Sequence, residues 1–146
     1  MIDILTVFLE DNDQVKVRLF RNLSCIFSYL SDFALKAIFQ LILTQYKIDF
    51  SNFSWEVEYE KAKLIQILAD FYPISKLIQV LPKFEVLVKS PHSKVRDEAA
   101  KNLGILTQKV LNEGNPMHMA ACASILLRLK DSQTYKDRLT FLLACE

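Results

Sequence analysis

The stretch 94–106, Lys-Val-Arg-Asp-Glu-Ala-Ala-Lys-Asn-Leu-Gly-Ile-Leu, is nearly copied upstream at 14–26, Gln-Val-Lys-Val-Arg-Leu-Phe-Arg-Asn-Leu-Ser-Cys-Ile. Val15 aligns with Val95, Leu19 with Ala99, and Asn22-Leu23 with Asn102-Leu103. A basic residue follows the valine in both copies, Lys16 and Arg96. A weaker copy lies between them: Trp55-Glu56-Val57-Glu58, with Ile65 where the others have Leu23 and Leu103. A truncated fourth starts at Tyr135-Lys136-Asp137-Arg138. The anchors Val15, Val57, Val95 and Lys136 therefore recur at a nearly constant interval of about 40 residues. A unit of that length is one pair of helices, which buries its apolar faces only by stacking on the next pair.

The rest of the chain divides at the same period. Ile2 to Leu9 reads as a short apolar helix, and Asp13 is placed to cap the next one. Leu19, Leu23, Ile26, Phe27 and Leu30 share a helical face and are expected in the core. Ser31-Asp32 is a turn and cap before an almost wholly apolar helix to Tyr46, with Leu35, Ile38, Phe39, Ile42 and Leu43 inward. A loop over 47–54 ends at Ser54, which caps a helix from Trp55 to Phe71. Pro82 lies inside the segment Ile74 to Lys89; it removes a backbone donor and predicts a break near Val80-Leu81. Ser90-Pro91-His92-Ser93 turns into the repeat helix, and Glu113-Gly114-Asn115-Pro116 ends it. Met117 to Lys130 carries Ala120, Ala121 and Ala123, suited to close packing. A last helix runs to Glu146. The expectation is an all-α fold, an α-α superhelix of about four antiparallel pairs over 1–30, 31–71, 72–112 and 113–146. The period is that of the armadillo-like HEAT repeat.

Composition narrows the function. Lys plus Arg number 18 and Asp plus Glu 17, which argues against a dedicated nucleic-acid surface. Asp32 and Lys36 interrupt the most apolar region, so no membrane span is expected. Cys25, Cys122 and Cys145 are odd in number and widely separated, and read as buried free thiols in a reducing compartment, cytoplasmic or nuclear. No Gly-rich phosphate loop, serine elbow or His-Glu-x-x-His pattern is present, and His92 and His118 are too far apart to anchor a metal site. The reading is a non-enzyme with no cofactor and no metal. Glu56, Glu58 and Glu60 fit a solvated helix start, where negative charge favours the dipole. Cys122 reads as core. Arg96 and Lys16 read chiefly as structural charges. Trp55, the single tryptophan, sits beside a turn and reads either as core or as an exposed binding anchor.

At these turns the chain resembles the scaffold (A) subunits of protein phosphatase 2A. Leu9-Glu10-Asp11 through Val15 to Asn22-Leu23-Ser24-Cys25 is similar to a family segment with leucine-lysine-aspartate, valine-arginine and asparagine-leucine-aspartate-cysteine. Ser54-Trp55-Glu56-Val57-Glu58 looks like its lysine-tryptophan-arginine-valine-arginine. Val95 to Leu103 is similar to its isoleucine-arginine-glutamate-alanine-alanine, asparagine-leucine helix. Asp131 through Tyr135 to Arg138-Leu139-Thr140 resembles its aspartate, tyrosine, arginine-methionine-threonine turn. The resemblance implies a non-catalytic scaffold whose later repeats bind a Ser/Thr protein phosphatase catalytic subunit through their intra-repeat turns, with a regulatory subunit on earlier repeats. Carried over, Trp55, Tyr135 and Arg138 face the catalytic subunit, with His92 and Ser93 in the turn between and Glu56 at a position where the family has arginine. The alternative is a HEAT adaptor of a transport or microtubule-associated protein, whose turns would be richer in Lys and Arg.

Overall fold

The computed structural model describes residues 12–45, 54–71 and 73–146. Every regular element among them is helical. In chain order these are α1 (Asp13–Leu23), a 3-10 segment (Ser24–Tyr29), α2 (Asp32–Gln45), α3 (Trp55–Phe71), α4 (Ile74–Leu77), a 3-10 turn (Ile78–Val80), α5 (Leu81–Leu87), α6 (Ser93–Glu113), α7 (Pro116–Lys130) and α8 (Tyr135–Cys145). The expected helix Ile2–Leu9, the loop over 47–53 and Tyr72 lie outside the described residues. The chain forms two compact units, Met1–Leu68 and Ala69–Glu146.

Local chemistry explains the boundaries. Ser31 Oγ accepts from the Ala34 amide at 3.3 Å, and Ser54 Oγ from the Val57 amide at 3.4 Å. Both satisfy a donor that the first helical turn leaves over. The cap of α1 is Asn12, not Asp13: Asn12 Oδ1 accepts from the Val15 amide at 3.1 Å. Asp13 instead becomes the first helical residue, where its charge still suits the dipole. Pro82 does break its helix, since its ring clashes with the carbonyl four residues back; the strain falls on Ile78–Val80. Gly114 ends α6 at φ 73°, the left-handed conformation that glycine adopts without a Cβ clash. Asn115 then accepts from the amides of Met117 and His118, with Pro116 opening α7.

Within the first unit Phe20, Leu23, Phe27, Leu35, Ile38, Val57 and Leu64 are buried. The expected face through Ile26 is corrected: Ile26 is exposed, at 40%. Ile26 lies in the 3-10 segment, where residues three apart line up, and it shares its row with the exposed Tyr29. The side chains of Phe39, Ile42, Leu43 and Ile65 lie outside those the structure describes.

The second unit is built on α6. Val95, Ala99, Ala100, Leu103, Leu106 and Val110 are buried along it. It packs on α4, α5, α7 and α8. Short turns at Gly114-Asn115 and at 131–134 reverse the chain twice, so α8 runs in the same direction as α6. Their closest approach is at Gly104, where an added Cβ would lie 2.5 Å from the Ala144 carbonyl oxygen. The contact is with backbone, which cannot rotate away. Gly104→Ala should therefore push α8 outward and cost about 1–3 kcal/mol in chemical denaturation, as overpacking does. A neutral result would mean the helices are not in this close contact. Close packing was expected of Ala120, Ala121 and Ala123; instead Ala120 and Ala123 are exposed, and Gly104 supplies the near approach.

Candidate functional site: the helix-start turns

Two turns in the second unit are built alike. At the start of α6, Arg96 Nη1 donates to the Ser90 carbonyl at 2.7 Å and to the Pro91 carbonyl at 2.9 Å. At the start of α8, Arg138 Nη1 donates to the Ser132 carbonyl at 2.9 Å and to the Gln133 carbonyl at 3.1 Å. Each arginine reaches back by the same two steps and ties its own turn to the first turn of its helix. The two arginines stand about 40 residues apart, close to the interval between the sequence anchors. Arg138 thus corresponds to Arg96, and the fourth anchor moves from Lys136 to Asp137.

Arg96 is therefore a local brace. Arg138, expected to face a partner, uses one nitrogen in the same way and is otherwise exposed. The α8 turn is further fixed by Ser132 and Thr134, whose hydroxyls donate to Asp137 Oδ2 at 2.7 and 2.9 Å.

On this braced frame stand the exposed residues. Tyr135 is 70% exposed, and His92 and Ser93 are exposed at the N-terminus of α6. The stretch from Ser93 to Gly104 is nearly as long as that from Tyr135 to Ala144, where the two helices touch. At the helical rise per residue, α6 and α8 thus begin within about 3 Å of level. His92, Ser93, Tyr135 and Arg138 consequently share one end of the second unit. Trp55 and Glu56 open α3, and both are half-buried. Trp55 is thus neither a closed core residue nor a fully exposed anchor.

The same unit has a second surface feature that sequence reasoning missed. Val110 and Leu111 of α6 and Met119, Ala120, Ala123 and Leu126 of α7 line an apolar groove of about 260 Å³. Cys122 backs it, buried as expected, and burial pushes its thiol above the ordinary range against a weaker, opposing hydrogen bond with Thr107. Its chemistry is that of a small core residue. Cys25 and Cys145 are free but exposed, against the expectation of burial, because neither lies on an inward helix face.

The largest departure is in the first unit. The solvated acidic start expected at Glu56, Glu58 and Glu60 is overturned, since Glu58 and Glu60 are both buried. Lys61 is 2% exposed and its Nζ lies 2.9 Å from Glu58 Oε1. Arg21 from α1 donates through Nε and Nη2 to Glu60 Oε1, at 3.0 and 2.8 Å. Lys63 Nζ approaches the other Glu60 oxygen at 3.6 Å. Desolvation lowers the Lys61 pKa below 10.5, opposed chiefly by Glu58, while Lys16 adds to the lowering. The sequence held a sign of this. Lys61 stands four residues after the anchor Val57, where the neighbouring copies have Leu19 and Ala99.

Among the described residues no group of three His, Cys, Asp or Glu side chains is placed to hold a metal, and no helix is long and apolar enough to cross a membrane. No family model, curated protein or solved structure matches the chain.

Proposed function

We propose that the chain is a segment of a HEAT-type α-α superhelix acting as a non-catalytic scaffold, and that its helix-start turns bind a Ser/Thr protein phosphatase catalytic subunit. The observation that carries the repeat reading is the recurrence of one brace, Arg96 and Arg138, on equally directed helices one repeat apart. A device repeated at that interval is what stacked helix pairs of one kind would share. The partner comes from the resemblance of the turns at 54–58, 95–103 and 131–140 to the phosphatase 2A scaffold. A rigid turn that projects Tyr135 beside His92 and Ser93 suits protein recognition, where aromatic side chains contribute area at small entropic cost. A regulatory subunit on neighbouring repeats and a cytoplasmic or nuclear setting belong to the same reading.

The test is a titration of phosphatase catalytic subunit against the chain and its Trp55→Ala and Tyr135→Ala variants, with folding followed by circular dichroism. Truncating an aromatic anchor should weaken binding by about 2 kcal/mol or more. Glu56, replacing an arginine of the resembled family, should make association slower or faster with salt according to the partner's charge, mainly through on-rate. Unchanged affinity in both folded variants would remove these residues from the interface. A transport or microtubule-associated adaptor would show no phosphatase binding at all.

A further inference from the structure

Helix α8 uses only part of the seat that α6 and α7 make for it. It packs on both helices and meets α6 at Gly104, through Ala144. It ends at Cys145, whereas α6 runs on to Glu113, about 13 Å past Gly104. Ala100, Gly104, Thr107 and Leu111 fall at i, i+4, i+7 and i+11, which is one face of α6. The face that receives α8 therefore continues past the end of α8. Thr107 and Leu111, on that continuation, line the apolar groove with Met119, Ala120 and Ala123 of α7. Leu111 is left 49% exposed there.

The chemistry of the groove defines what fits it. No ionised side chain lines it, and the Thr107 hydroxyl already donates to the Leu103 carbonyl at 2.7 Å. Apolar side chains therefore enter without stranding a polar group. Methionine at the wall adapts to side chains of different shape. The adjoining part of the same face shows the form of the occupant, since what it holds is a helix, α8. Charge sets the direction. The carbonyl end of α8 is negative and Glu146 is exposed beside it, so an incoming helix is favoured with its positive N-terminus at that end.

We infer that the groove is a docking site for an amphipathic helix of a partner protein, laid end-on to α8 and in the same direction, with its apolar side chains between α6 and α7. The site lies past the close of α8, whereas the helix-start turn at Tyr135 lies at its opening. It is thus a second contact surface, independent of the phosphatase reading.

Titration of a fluorescent probe peptide against the intact chain tests this. The probe is alanine-based, about 15 residues long, with leucines at i, i+4 and i+7. A control peptide carries the same leucines dispersed around the helix. The probe should bind at least about tenfold more tightly than the control. Leu111→Glu and Ala123→Glu, both at exposed positions, should weaken probe binding about tenfold or more, with helix content unchanged by circular dichroism. Tyr135→Ala should leave it unchanged. Moving a lysine from the last turn of the probe to its first should favour binding to the wild type more than to Glu146→Gln. Equal binding of probe and control, or binding retained in both groove variants, would overturn the proposal. An equal response of wild type and Glu146→Gln would overturn the direction. Self-association of the chain that Ala123→Glu abolishes, measured by sedimentation, would also overturn the proposal, because a second copy would then fill the groove.

Discussion

Glu58→Leu should destabilise the first unit by about 3–5 kcal/mol, because it takes from the buried Lys61 ammonium the carboxylate that compensates it. Lys61 is 2% exposed and its Nζ is 2.9 Å from Glu58. The second half of the expectation has the opposite sign. Glu58→Leu combined with Lys61→Met replaces the pair by apolar groups of similar size, and the double variant should equal or exceed the wild type, by up to about 4 kcal/mol. A double variant as unstable as Glu58→Leu alone would show that the pair is needed for more than mutual compensation. The pH dependence follows from the lowered Lys61 pKa. Below the folded-state value, both folded and unfolded chains hold the proton and stability is level. Between that value and 10.5 the unfolded chain binds more protons, so this group's contribution rises with pH and levels off above 10.5. Glu58 opposes the lowering, so Glu58→Leu should extend the rise to lower pH, and Lys61→Met should abolish it. Urea unfolding from neutral to alkaline pH measures all three chains.

Leu103→Ala should cost about 2–5 kcal/mol, the range for large-to-small changes in a core. Leu103 is fully buried, with Ala99, Ala100 and Leu106 on the same helix also buried. α6 packs on four helices, α4, α5, α7 and α8, so a void in its core face loses contacts with its neighbours. Leu23, the matching residue of the first copy, is buried too, at 4%. Leu23→Ala should fall in the same range. A loss below about 0.5 kcal/mol in Leu103→Ala would place the residue at the surface, and with it the repeat register.

The helical class and most boundaries could be read from residues alone because each depends on neighbours within a few positions. Ser31 and Ser54 cap by reaching amides three residues on. Pro82 breaks its own helix, and Gly114 takes the one backbone conformation that ends α6. Leu23 and Leu103 are buried at the same place in their copies, since helical period and repeat period agree there. The exposed turn at Tyr135 was legible for the same reason.

Other features required the tertiary structure. Nothing local separates a solvated glutamate at a helix start from a buried one. Glu60 is buried because α1, from much earlier in the chain, places Arg21 against it. Lys61 is buried too, and the partner that makes this tolerable is Glu58, not water. Arg138 looked like a free contact, yet its carbonyl partners exist only once the turn at 131–134 has closed. Ile26 lies in a 3-10 segment, in line with the exposed Tyr29 and outside the core. Sequence by itself determined where helices start and stop, since those choices are made by short-range hydrogen bonds and sterics. Tertiary structure decided which charges lose their water, because desolvation depends on what arrives from elsewhere in the chain.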